Sequence, residues 1–261
     1  MPDSDGLKSD AELLFDVVRE AGSLALTMLR QNVRRWSKPD GSPVTEADMQ
    51  VDALLRGHLR AKRPGYGWLS EETPDDDKRL SCDKVWVADP IDGTRAFING
   101  GSEWCVAVAL IAGGRPRIAA VYRPVTEEFF TAIEGRGARL NGGRIAASTG
   151  ATLAAARIIG TRKSLAPLQS HGIAADISGE LPLQLRLACV AAGRADGAVS
   201  IGHKNDWDLA AGDLLVREAG GRAGDIHGGS YVYNRRESWQ QGLIAAGAYR
   251  HVALTEALRT P

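Results

Sequence analysis

Four short acidic segments in this 261-residue chain carry side chains that could do chemistry together. They are Thr45-Glu46-Ala47-Asp48, Ser70-Glu71-Glu72, Asp89-Pro90-Ile91-Asp92-Gly93-Thr94 and Trp207-Asp208. Asp89 and Asp92 flank one turn, so oxygens from both can point at a single centre. Pro90 stiffens that turn by fixing φ. Gly93 lets the backbone come close to a ligand, and its amide and that of Thr94 are free to meet an anion. Converging carboxylates repel and raise one another's pKa. A divalent cation removes that conflict, and hard oxygen donors suit Mg²⁺ or Mn²⁺ rather than zinc. Two such ions clamp a phosphate for in-line attack by water. Taken singly, each segment is also an ordinary solvated turn or helix cap. Their joint occurrence, each at the end of an element, is what points to a site.

Hydrophobic spacing outlines the elements that must position these residues. A capping box at Ser9 and Glu12 leads into Leu13, Leu14, Val17, Val18, Ala21, Leu24 and Met28 at helical spacing, which predicts a helix near 10–30. Residues 36–43 read as a loop, and Thr45 starts a second helix with Met49, Leu54, Leu55 and Leu59 on one face. Strands are predicted at 66–70, 84–90, 104–111, 117–122 and 128–133, with a hairpin at 138–145 around Asn141-Gly142. The second half alternates differently. Strands are predicted at 156–161, 196–201 and 241–248, and helices at 164–170, 183–193, 206–221 and 249–259. Helix-flanked sheets in both halves give an α/β (α+β) fold in layers. A soft boundary near 148–155 separates an N-terminal half, 1–150, with most of the acidic segments from a C-terminal half, 151–261, with Asp208. Together they form one compact catalytic unit.

Composition excludes several classes. Lys plus Arg and Asp plus Glu both total 32, so the formal net charge is zero. A protein that binds nucleic acid through its phosphates would carry a basic excess, so none is expected as a partner. Cys82, Cys105 and Cys189 form no paired motif, which favours free thiols in a reducing compartment. The polar N-terminus and the lack of a long apolar run predict a cytoplasmic protein with no membrane partner. No nucleophile motif with a histidine partner is visible, and most of the five histidines lie far from the acidic segments.

The segments VWVADPIDGTRAF (85–97) and DWDLAAGDLLVREAGG (206–221) resemble the two main motifs of the inositol monophosphatase family of metal-dependent, lithium-sensitive phosphatases. WLSEE (68–72) and VTEAD (44–48) resemble its accessory segments, so the resemblance runs over nearly the whole chain. It implies a layered αβαβα sandwich, a homodimer and two to three Mg²⁺ ions, with Mn²⁺ as a possible substitute. It further implies that Glu71, Asp89 and the Ile91 carbonyl hold one ion, and that Asp89, Asp92 and Asp208 hold a second. Glu71 would help bind a third and orient the attacking water. Thr94, paired with Asp48, would position that water and draw off its proton. The amides of Gly93 and Thr94 would bind phosphate oxygens. Lys38 stands where the family often has a basic residue, and His203, five residues before Asp208, is a candidate substrate contact.

Two departures bear on the substrate. Ser200 and Ile201 stand where inositol monophosphatases usually place an acid that grips hydroxyls, and Leu181-Pro182 replace a small polar pair. Arg95, directly after the first motif's threonine, could meet a second phosphate, and Thr161-Arg162-Lys163-Ser164 partly resembles a segment of the bisphosphate nucleotidases. The reading is a phosphomonoesterase for a small 3'(2'),5'-bisphosphate nucleotide, with inositol monophosphate as the alternative ester. A regulatory factor that binds the transcription machinery is the rival from another class. The complete acidic set argues against a chain that has abandoned catalysis.

Overall fold

In the computed structural model, residues 4–31, 33–39, 41–176 and 181–259 are described. The first helix, α1 (Ser4–Leu29), begins before the Ser9–Glu12 pair expected to cap it. Ser9 lies inside the helix, and its hydroxyl instead accepts a hydrogen bond from Arg63 Nη2 at 2.9 Å. The expected loop at 36–43 contains a small hairpin, β1 (Arg35–Ser37) with β2 (Pro43–Thr45), that leads into α2 (Glu46–Lys62). The N-terminus of α2 is fixed as expected. The Thr45 side chain accepts from the Ala47 amide, and Asp48 reaches back to the Thr45 amide.

A seven-stranded sheet follows, in the spatial order of the chain: β3 (Gly67–Ser70), β4 (Lys84–Asp92), β5 (Cys105–Ala112), β6 (Arg115–Arg123), β7 (Glu128–Ile133), β8 (Ala138–Leu140) and β9 (Gly143–Arg144). A short helix, α3 (Thr94–Ile98), interrupts it after β4. Among the described strands of this sheet, β3 and β4 run parallel and the other neighbours antiparallel. The hairpin turn at Asn141-Gly142 forms as predicted, both residues having positive φ.

The second half builds a five-stranded sheet. Its elements in chain order are β10 (Arg157–Gly160), α4 (Arg162–Leu165), β11 (Ala174–Asp176), α5 (Leu183–Ala191), β12 (Gly197–Asn205), α6 (Asp206–Glu218), β13 (Gly221–Gly224), β14 (Trp239–Gly247) and α7 (Ala248–Arg259). The strand order is β11-β10-β12-β14-β13. β11 and β13 are short strands with no hydrophobic pattern, and the sequence did not announce them. The glycine pair at 220–221 ends α6 through Gly220 at φ 82° and then opens β13.

Side-chain alternation sets the layers. On β5, Val106, Val108 and Leu110 face α1 and α2, where they meet Leu14, Val18, Leu55 and Leu59. Ala107, Ala109 and Ile111 face the other way, toward Leu187, Leu209 and Leu214 of α5 and α6. Those two helices also cover Ala198, Leu243 and Ala245 of the second sheet. The far side of that sheet, with Ile158, Val199 and Ile244, is closed by Leu165, Leu168 and Leu254. The result is five layers, αβαβα. Each fully buried leucine in them contributes about 2 kcal/mol. The two central helices approach closely because residue 212 is glycine. A Cβ there would lie 2.4 Å from Leu187.

Candidate active site

Strand β4 is longer than its sequence suggests and contains the central irregularity. Asp89 pairs with Ala107 and Asp92 with Cys105, so three steps along β4 match two along β5. Pro90, which has no N–H for the ladder, lies in this bulge. In a regular strand, residues three apart face opposite sides. The extra residue cancels that, so Asp89 and Asp92 share the face of Ala107 and Cys105, toward α5 and α6. Ile91 goes to the opposite core. Gly93 then turns the chain at φ 105°, where a Cβ would lie 2.5 Å from the Glu103 carbonyl. Only glycine fits this turn.

Two other carboxylates arrive on helix starts, each as the third residue of its helix. Asp208 Oδ2 accepts the Asn205 amide at 2.7 Å, which holds it at the N-terminus of α6. Asp48 Oδ2 accepts from the Thr45 amide at 2.8 Å and the Thr45 hydroxyl at 2.6 Å. Its Oδ1 remains for Thr94, whose Oγ1 is 3.0 Å away and also 3.1 Å from the Ile91 carbonyl. The Asp48–Thr94 pair expected from sequence is therefore formed. Glu71 follows β3, its amide reaching the Ala88 carbonyl of β4.

The carboxylates share one electrostatic neighbourhood. Asp89 is 1% exposed. Burial, and then the charges of Glu71, Asp92, Asp208 and Asp48, hold its carboxyl well above the usual range. Asp92 is raised by burial and by Asp208, although the Gln184 amide donates to its Oδ2 at 2.8 Å. Asp208 is pushed up to about 7, chiefly by burial. Asp89 Oδ1 is buried without a hydrogen-bond partner. The side chains are spread rather than drawn together. Among the described residues, no three His, Cys, Asp or Glu side chains form a closed metal-holding group. Glu71 turns instead to Lys38, which donates at 2.7 Å to both Glu71 and Glu72. Burial raises Glu72 to about 7, with Lys38 opposing and Glu71 adding to the rise.

Other expected contacts stand apart. Arg95 is exposed on α3 and forms no ion pair with a described residue. His203 is exposed and stacks on Trp239, ring centres 4.0 Å apart and planes 17° from parallel. Thr161 and Ser164 cap α4 rather than presenting a binding edge. Sequence reasoning missed Gln184, whose side chain ties α5 to the Trp207 carbonyl and the Gly212 amide of α6. The available signal was a polar residue inside an otherwise largely apolar helix, LQLRLACVAAG.

Five alternating layers, with carboxylates from a bulged strand, a strand end and two helix starts that raise one another's pKa, define an α/β fold with an acidic site. The sequence matches the inositol monophosphatase family over residues 7–260, and the chain belongs to that family. The chain is 38% identical to the Nus factor SuhB of Escherichia coli over 197 residues, covering 71% of this chain and 73% of the relative. It is 34% identical to an inositol-1-monophosphatase of Rhizobium meliloti over 247 residues, covering 88% of each. The SuhB structure from Bartonella henselae superposes with a TM-score of 0.82 at 28% identity, covering 95% of this chain and 98% of that one. The Thermotoga maritima IMPase superposes with a TM-score of 0.80 at 26% identity, covering 95% and 96%. No helix among the described residues is long and apolar enough to cross a membrane.

Proposed function

We propose that this protein is a Mg²⁺-dependent phosphomonoesterase acting on a small phosphate ester, a 3'(2'),5'-bisphosphate nucleotide first among them. The observation that carries the reading is Asp89. It is a buried carboxylate with one oxygen lacking any donor, and it feels the charges of four other acids. That arrangement is unfavourable unless a cation completes it. The donors are all oxygen, which fits Mg²⁺, the ion the family generally uses. Glu71, Asp89 and the Ile91 carbonyl would hold one ion, and Asp89, Asp92 and Asp208 another, with Glu71 serving a third. When bound, such ions neutralise phosphate charge and make water a better nucleophile. Reaching that state requires Glu71 to leave Lys38.

The protein's own groups supply the rest. Thr94 and Asp48 form a ready relay: the hydroxyl takes the proton of an attacking water as its own proton passes to Asp48 Oδ1. The tight turn at Gly93 presents backbone amides to the phosphate. Positioning and charge neutralisation are what phosphoryl transfer needs. Inositol phosphate is the second reading, supported by the relatives named inositol monophosphatase. Phosphate release with Mg²⁺ from 3'-phosphoadenosine 5'-phosphate and from inositol 1-phosphate tests both. A preference of about a hundredfold, roughly 2.7 kcal/mol, assigns the class. Cleavage of neither removes the proposal.

A further inference from the structure

We propose that Asp52 is a positioning residue for this chemistry: it clamps the turn that carries Glu71 and Glu72 and sets that turn's place relative to the Asp48–Thr94 pair. The inference rests on the phosphatase reading above and concerns the backbone beneath Glu71.

Asp52 lies on α2, four residues after Asp48, so both acids project from one face of the helix, about 6 Å apart along its axis. Asp48 is 1% exposed and Asp52 6%. Val51, Leu55 and Leu59 of α2 are buried beside it. An acid in such company carries a desolvation cost. Asp52 does not start the helix either, since Thr45 and Asp48 already do. What the position gains is a pair of hydroxyls from β3 and the turn after it. Ser70 Oγ donates to Asp52 Oδ1 at 2.5 Å, and Thr73 Oγ1 donates to Asp52 Oδ2 at 2.6 Å.

Those two hydroxyls stand on either side of the Glu71-Glu72 pair. Each also accepts a hydrogen bond. The Glu72 amide reaches Ser70 Oγ at 3.4 Å, and Trp68 Nε1 reaches Thr73 Oγ1 at 3.4 Å. One carboxyl group therefore closes the turn from both ends. An asparagine has a single acceptor oxygen and could not take both hydroxyls as donors. Glu71 must leave Lys38 to meet a cation. A side chain that changes partner needs a main chain that stays in place. Without the clamp, ordering the turn would cost part of the binding free energy.

The same helix presents Asp48 Oδ1 to Thr94 Oγ1 at 3.0 Å. One rigid element thus sets the spacing between the proton relay and Glu71. A purely electrostatic role for Asp52, as one more negative charge near the cations, is the competing explanation. Ser70→Ala and Thr73→Val keep the acid and remove one arm of the clamp each, so they separate the two.

The test titrates the full, metal-free chain with Mg²⁺ by calorimetry. Asp52→Ala should weaken Mg²⁺ binding about tenfold, as loss of a group that orients a metal ligand does. Asp52→Asn, Ser70→Ala and Thr73→Val should each weaken it by a smaller factor. In the Asp52→Ala background, Ser70→Ala should add nothing, because its partner is already gone. With p-nitrophenyl phosphate, the Mg²⁺ concentration for half-maximal phosphate release should rise by the same factor, and kcat at saturating Mg²⁺ should fall less. A merely structural residue would lower the melting temperature and the number of competent sites and leave the Mg²⁺ affinity of the folded protein unchanged. That result overturns the clamp, and so does wild-type affinity in the Ser70→Ala, Thr73→Val double variant. If Asp52→Ala does not fold, Asp52→Asn and the hydroxyl variants carry the comparison. Hydrogen exchange in EDTA reads the turn without metal. Peptides over 69–74 should exchange about fivefold faster or more in Asp52→Asn, with those of α1 and β5 unchanged. Should the wild type neither bind Mg²⁺ nor release phosphate, the phosphatase reading fails. The exchange then decides the clamp alone, and an unchanged rate over 69–74 overturns it.

Discussion

Strand β4 joins two buried aspartates that have opposite fates. At its first residue, Lys84 donates to Asp10 of α1, which also receives Arg63 Nε at 2.6 Å and the Tyr66 hydroxyl at 2.8 Å. At its far end stands Asp89. Both aspartates are 1% exposed. Burial pushes Asp10 up, yet hydrogen bonds from Lys84, Arg63 and Tyr66 outweigh it and hold the carboxyl below its ordinary value. Asp89 has acids for neighbours and an oxygen without a donor, and its carboxyl is held high. Depth alone does not separate a structural acid from a functional one. What separates them is whether the protein satisfies the charge itself or leaves it for a ligand.

This contrast leads to four predictions. The largest effect is expected from Asp89→Asn. Phosphate release should fall about a thousandfold or more, roughly 4 kcal/mol of barrier, while the melting temperature in EDTA holds or rises. Marked destabilisation of the metal-free variant would break the contrast. Next, saturating Mg²⁺ should stabilise the wild type by about 2.7 kcal/mol at a hundred times its Kd. A thermal melt of Asp89→Asn should show no such gain.

Asp10→Asn should do the reverse. It strands two cations and should cost about 2 kcal/mol by denaturant unfolding, below the value for fully buried pairs because Arg63 and Lys84 reach the surface. The folded variant should keep its kcat/KM. The smallest effect concerns pH in EDTA. Acids with raised folded pKa values, such as Asp208 and Glu72 near 7, bind protons the unfolded chain has lost. Metal-free stability should therefore fall from pH 5 to 8, by about 1 kcal/mol or more. Asp10, held low, contributes stability above its unfolded value that is lost only as pH falls below about 4. Denaturant midpoints that rise toward pH 8 in EDTA would contradict the assignment.

The acidic segments were legible because capping and turn chemistry are local. Asp48 sits in a capping box with Thr45, and Asn141-Gly142 makes the hairpin the sequence announces. The layers were legible from alternation along strands such as β5. What could not be read depends on distant partners. Ser9 looks like a cap, but the helix runs through it, and Arg63, 54 residues away, takes its hydroxyl. The bulge that aligns Asp89 with Asp92 exists only against β5. The sequence predicts a helix over 183–193, but that this helix is enclosed between two sheets is a fact of tertiary packing alone.

Asp48 and Asp208 each use one oxygen to hold a helix start. Selection therefore acts on them twice, once for folding and once for chemistry. A descendant that lost its substrate would still keep both acids to preserve its helices, and the motif would outlive the reaction it once served. Bulge residues with no folding duty, Asp89 above all, would drift first. In this lineage, the integrity of that one position is the better record of a working enzyme.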